Sequence, residues 1–129
     1  MEQAGIWRYK AEPYVYASNL FGPESDKFGL ANVSWLTGTA PWMYIAATQY
    51  IMGIKPVMAG LSIDPCIPSE WEGFKVNRRF RGCLYEISVI NSSHSCKGVK
   101  EIRVDGQRLE GNVVPAYPEK AMVKVEVIL

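Results

Sequence analysis

The sequence predicts an α+β chain in which the edge of a larger helical domain leads into an antiparallel β-sandwich. Three observations predict it. The apolar period changes from helical spacing to alternation near Pro56, most of the large aromatic residues lie before that change, and turn residues punctuate the chain after it. The expected division is residues 1–58, the helical edge, and residues 59–129, the sandwich.

In the first part, Glu12-Pro13 has the form of a helix opening, because proline at the first turn loses no hydrogen bond. Tyr14, Val15, Ala17 and Leu20 continue the run until Gly22-Pro23 stops it. A loop of Gly, Asp, Ser and Lys comes next. A second helix is expected from Thr37-Gly38-Thr39, with Pro41 early in it, Trp42, Ile45, Ala46, Gln49 and Tyr50 at three-to-four spacing, and Gly53 as the residue that ends it. Two such helices cannot cover their own aromatic faces. Tyr9, Tyr14, Tyr16, Trp35, Trp42, Tyr44 and Tyr50 would lie largely exposed unless a larger helical body packed on them.

In the second part, residues 61–63, 74–76, 84–90, 99–104 and 122–127 alternate apolar with polar, as half-buried antiparallel strands do. Asp105-Gly106 is a tight-hairpin signal, because a type I′ turn needs two residues that tolerate positive φ. Several short strands at this spacing suggest a sandwich.

Composition narrows the function. A 129-residue chain with 48% hydrophobic and 21% charged residues has the balance of an ordinary folded domain. Its 14 basic and 13 acidic residues leave a net charge of +1, with no basic face beyond the short Arg78-Arg79-Phe80-Arg81 segment, so nucleic acid is not an expected partner. The apolar run near residues 42–54 is too short and too interrupted to span a bilayer, and no secretory leader follows Met1, so no membrane partner is expected. The 3 cysteines, Cys66, Cys83 and Cys96, have no CxxC spacing and only His94 as a histidine partner. That pattern argues against a disulfide framework and a structural zinc, and fits a cytoplasmic protein.

Several ordered stretches carry a resemblance. They are Glu12-Pro13-Tyr14-Val15-Tyr16, Ser34-Trp35-Leu36-Thr37-Gly38-Thr39-Ala40, Ile63-Asp64-Pro65-Cys66-Ile67-Pro68 with Trp71, and Phe74-Lys75-Val76 through Arg79-Phe80-Arg81-Gly82. Lys97-Gly98-Val99, Val104-Asp105-Gly106 and Gly111-Asn112-Val113-Val114-Pro115 continue it. The sequence thereby resembles the cellobiose and chitobiose phosphorylases of glycoside hydrolase family 94 and the related region of cyclic β-1,2-glucan synthases, over nearly the whole chain after about residue 10. The resemblance implies the last helices of an (α/α)6 barrel followed by a C-terminal β-sandwich. It also implies an inverting phosphorolysis, in which inorganic phosphate attacks the anomeric carbon of a β-linked disaccharide such as cellobiose and gives an α-sugar 1-phosphate. Phosphate is then a co-substrate and no cofactor is needed. Because phosphate is already an anionic nucleophile, the second carboxylate of inverting hydrolases is unnecessary.

By resemblance Thr37 and Gly38, with Thr39 as a third member, bind phosphate: backbone amides and a hydroxyl at a helix start suit a dianion. Spacing alone reads Thr37 or Thr39 as the cap of the following helix. Glu12 and Tyr14 face the sugar by resemblance; taken alone, they read as a first-turn charge and a core aromatic. The sequence departs from the family at Ser18, where a sugar-binding Gln is common, and at Pro41, where Gly is common. The general-acid Asp and the His and Arg of the phosphate site belong to an upstream catalytic region of the same enzyme. Glu24, Asp26, Asp64 and Asp105 do not align with that acid, so the chain alone is expected to be inactive. The resemblance also implies a homodimer for the full-length enzyme. The competing reading is a non-catalytic carbohydrate-binding or structural β-sandwich module.

Trp35, Trp71 and Tyr85 are candidate sugar platforms, although core packing is the commoner use of an aromatic residue in such segments. Glu70 and Glu72 read as solvated neighbours of Trp71. Arg79 and Arg81 are expected on one strand face, pairing with carboxylates, and His94 in a surface turn.

Overall fold

The computed structural model describes residues 8–12, 15–35 and 39–129. The chain divides into two compact units, Met1–Ile45 and Ala46–Leu129.

In the first unit the expected helix after Glu12 does not form among the described residues. One turn, Val15 N–H to Glu12 C=O at 3.2 Å, is followed by extended chain in which Val15, Ala17 and Asn19 are partly covered and Tyr16, Ser18 and Leu20 exposed. That is the two-residue alternation of a strand. The chain then folds back on itself: Ser18 N–H donates to Val33 C=O at 2.7 Å, Phe21 N–H to Leu30 C=O at 3.0 Å, and Gly29 N–H to Phe21 C=O at 3.0 Å. Asn19 ties the two arms, its Oδ1 accepting Val33 N–H at 3.1 Å and its Nδ2 donating to Asn32 Oδ1 at 3.3 Å. The Asn19 amide is thus spent on the returning arm, 13 and 14 residues away, and these bonds between arms take the place of a helix's local ones.

Helix α1 spans Thr39–Ile45, with Pro41 in its first turn, as expected. In the second unit Ala46–Ile51 is π-helical, and Met52 N–H reaches back five residues to Ala47 C=O at 2.8 Å. Gly53, at φ 67°, ends the run.

Eight strands complete the chain: β1 (Ile54–Val57), β2 (Gly60–Ile63), β3 (Gly73–Phe80), β4 (Cys83–Ile90), β5 (Glu101–Val104), β6 (Gln107–Leu109), β7 (Val113–Pro115) and β8 (Met122–Ile128). They make a three-stranded antiparallel sheet in the order β1-β2-β7 and a five-stranded sheet in the order β3-β4-β8-β5-β6. Each expected strand is present. Alternation does not reveal β1 and β7, because each is short and carries a proline, Pro56 and Pro115, which a sheet accepts at its edges. The Asp105-Gly106 hairpin forms as expected, with φ of 49° and 83° closing Val104 against Gln107. Arg81-Gly82, at φ 48° and 89°, makes a second turn of this kind between Phe80 and Cys83. Arg81 therefore lies in a turn and not on a strand face with Arg79. Its guanidinium donates to Met58 C=O at 3.0 Å and lies over the Phe80 ring.

The five-stranded sheet is mixed, not purely antiparallel. β8 enters its centre parallel to β4 and antiparallel to β5. Alternate residues of β4 and β8 point inward, and Tyr85, Ile87, Val123, Val125 and Val127 share one core with Ile54, Leu61, Ile63 and Val114 of the other sheet. Two polar groups are built into that core. Tyr85 is fully buried, so it is no sugar platform. Its hydroxyl donates to Pro115 C=O at 3.2 Å and accepts Tyr117 N–H at 3.0 Å, and burial pushes its pKa up. Asn91, also fully buried, donates through Nδ2 to Trp71 C=O and Ser95 C=O at 2.9 and 3.0 Å, and accepts Ser95 N–H at 2.8 Å.

Removing the Asn91 amide leaves two carbonyls and an N–H without partners in a dry site. Asn91→Ala is expected to lower stability by about 2 to 4 kcal/mol and Tyr85→Phe by about 1 to 3 kcal/mol, read from urea unfolding of the whole chain. A change below about 0.5 kcal/mol in either would show that water replaces these bonds.

Candidate functional site

The fold-back of residues 18–33 returns the chain to Glu12. The Glu12 carboxylate accepts the Ser34 hydroxyl on Oε2 at 3.0 Å and the Trp35 indole N–H on Oε1 at 3.1 Å. Two stretches separated by 22 residues in sequence are thus joined through one side chain. Trp35 sits at φ 65°, a left-handed conformation that costs a non-glycine residue about 1 kcal/mol or more and persists only where neighbouring bonds impose it. The residue as a whole is 64% exposed.

Glu12's own backbone N–H, the Trp35 indole and the Ser34 hydroxyl, in that order, hold its carboxyl below the ordinary carboxylate range, against a smaller desolvation effect. A carboxylate held in that way is ionised at neutral pH. It is an acceptor and not a proton donor, with lone pairs left over for a further hydroxyl.

Thr39 is the first residue of α1 and is partly covered. Tyr14, Thr37 and Gly38 lie outside the described residues. Of the five residues singled out for phosphate and sugar, Glu12 and Thr39 are described. Sequence reasoning does not anticipate that Glu12 is engaged by Ser34 and Trp35. The available signal is that both motifs belong to the stretches carrying the family resemblance, but nothing in their spacing shows that they meet.

The remaining candidates separate cleanly. Trp71 is 46% exposed and its carbonyl accepts from Asn91. His94 lies in a surface turn at φ 52°, as expected, with Nδ1 at 3.0 Å from Ser69 C=O. Cys83 is buried, Cys66 and Cys96 are exposed, and all three are free. A cleft of about 790 Å³ in the second unit, lined among others by Asp64, Glu101, Arg108 and Glu110, includes neither Glu12 nor Thr39. No helix among the described residues is long and apolar enough to cross a membrane.

Glu12 contributes stability that is present above its unfolded pKa and lost as pH falls through its lower folded pKa. On acidification the Trp35 indole N–H resonance is expected to titrate with a midpoint below about 4.3, the value of an unperturbed glutamate. Glu12→Gln is expected to abolish that titration. A midpoint at or above the unperturbed value would break the assignment.

Residues 2–53 match the family model described as glycosyl hydrolase 94 superfamily, catalytic domain, and residues 58–110 match that of glycosyl hydrolase family 65, C-terminal domain. The N,N'-diacetylchitobiose phosphorylase of Vibrio proteolyticus is 48% identical over 105 residues, 81% of this chain and 13% of that protein. Solabiose phosphorylase of Paenibacillus borealis is 36% identical over 116 residues, 90% of this chain and 15% of that protein. The cyclic beta-(1,2)-glucan synthase of Rhizobium meliloti is 35% identical over 102 residues, 79% of this chain and 4% of that protein. The chain therefore spans a small part of the length of the relatives it matches.

Proposed function

Because the chain belongs to the glycosyl hydrolase 94 superfamily, we propose that it is the C-terminal part of an inverting glycoside phosphorylase, contributing the phosphate-binding residues Thr37, Gly38 and Thr39 and the sugar-facing residues Glu12 and Tyr14. Residues 1–58 hold the edge of the (α/α)6 catalytic domain and residues 59–129 its trailing sandwich, with β1 (Ile54–Val57) at the end of the first segment already paired into that sandwich. The observation that carries this reading is the Glu12 carboxylate, which ties Ser34 and Trp35 directly ahead of Thr37-Gly38-Thr39.

In the reaction, a phosphate oxygen attacks the anomeric carbon of a β-linked, cellobiose-like disaccharide. The glycosidic C–O bond breaks, an Asp of the upstream region protonates the leaving oxygen, and the product is an α-sugar 1-phosphate. Thr37 and Thr39 donate hydroxyl hydrogen bonds to the phosphate, and Gly38, lacking a side chain, lets the backbone approach it. Glu12, held ionised, accepts from a sugar hydroxyl and fixes Trp35 beside it. Trp35, Trp42, Tyr44 and Tyr50, each more than 60% exposed, support a helical body that covers this edge. The free thiols support a reducing cytoplasm.

The test is a chimera in which this chain replaces the 105 matched residues of the Vibrio proteolyticus phosphorylase. Thr37→Ala in the chimera is expected to lower kcat/KM for phosphate by about ten- to a hundredfold, the loss of one hydrogen bond to a charged group. The KM for the sugar should change little. Unaltered phosphate kinetics would overturn the assignment.

A further inference from the structure

β3 is an edge strand of the five-stranded sheet and runs eight residues in unbroken register with β4, without a bulge or a proline. The two-residue turn closes on the hydrogen-bonded pair Phe80 and Cys83, so Phe80, Arg78, Val76 and Phe74 bond to β4. Lys75, Asn77 and Arg79 then direct both backbone N–H and C=O away from the sheet. No hydrogen bond from a described residue reaches them from that side. The same three side chains are exposed, whereas those of Phe74, Val76, Arg78 and Phe80 are partly covered on the core side.

The edge is also cationic. Lys75, Arg78 and Arg79 form no ion pair among the described residues. Glu86, opposite Asn77 on β4, is the acid nearest in register to Lys75 and Arg79, and it also stands beside Lys124 of β8. Arg78 holds a buried Nε without an acceptor. Lysines on an edge discourage pairing, but this edge has none of the other devices that prevent it, being neither short, bulged nor broken by proline. The charges instead select against like strands. Antiparallel self-pairing about Asn77 would set Lys75 opposite Arg79 twice, which disfavours a second copy of this chain.

We propose that β3 is a docking edge that takes an extended acidic segment of a partner polypeptide as an added strand. The partner's backbone bonds Lys75, Asn77 and Arg79. Its outward acids face Lys75 and Arg79, and its inward residues cover Phe74 and Val76. This surface shares no residue with the proposed phosphate loop, so either can fail without the other.

The test uses the full chain and a fluorescent, blocked peptide of alternating Glu and Val, with the Lys and Val counterpart as control. The Glu peptide is expected to raise anisotropy to saturation and to slow amide exchange at Lys75, Asn77 and Arg79. The double variant Lys75→Glu/Arg79→Glu is expected to weaken binding by about five- to tenfold, the loss of two cross-strand charge pairs. Asn77→Pro removes one outward N–H, leaves the β4 bonds intact and should weaken binding with no change in the core methyl spectrum. Absence of binding, equal binding of the Lys peptide, or affinity unchanged in the double variant would each overturn the proposal.

Discussion

The parallel pairing of β4 with β8 is the constraint around which the second unit is built. These two strands occupy the middle of the five-stranded sheet, and their inward residues supply much of the shared core. Parallel neighbours cannot be joined by a tight turn, so the chain must leave β4, build β5, β6 and β7, and return. That excursion sends β7 into the other sheet and links the two sheets covalently as well as by packing. The strand that closes the sheet is the last in the chain, with Leu129 N–H bonding Ile90 C=O at 3.0 Å and Ser93 Oγ bonding Leu129 C=O at 2.8 Å. Local turns form the hairpins, but the core closes only when β8 docks.

The two polar residues inside this unit serve the same closure. Tyr85 reaches from β4 to the end of β7 and the segment after it, and Asn91 joins the end of β4 to the loop before β3 and to the turn that follows β4. Each bond spans parts of the chain that the ladder itself does not connect. Buried polar groups of this kind are costly unless every partner is present, which makes them demanding of one arrangement. The family 65 C-terminal match ends at residue 110, before β7 and β8. Two of the strands that complete the core therefore lie beyond the part matched.

The first unit works differently. It has little apolar burial among its described residues, and its internal organisation rests on backbone bonds between arms, on Asn19 and on Glu12. A single ionised carboxylate is placed where it holds Trp35 in an unfavourable backbone conformation beside the loop proposed for phosphate. The strain and the placement are consistent with each other. A tryptophan held at positive φ needs bonds that impose it, and Glu12 supplies one to its indole.

The order of amino acids is enough to establish the family, the change from helical to alternating period, most of the strands and the Asp105-Gly106 turn. Each is encoded in residues close in the chain, where φ preference and side-chain alternation act directly. Arg81-Gly82 is legible on the same principle, although the run of arginines there favours reading Arg81 with Arg79 as strand. Tertiary pairing is needed to decide that residues 15–20 are extended, that β8 lies parallel to β4, that β7 pairs with β2, and that Glu12 meets Ser34 and Trp35. The physical reason is common to all four. Each is settled by a hydrogen-bond partner distant in the chain, and neither propensity nor periodicity carries information about a partner that is not nearby.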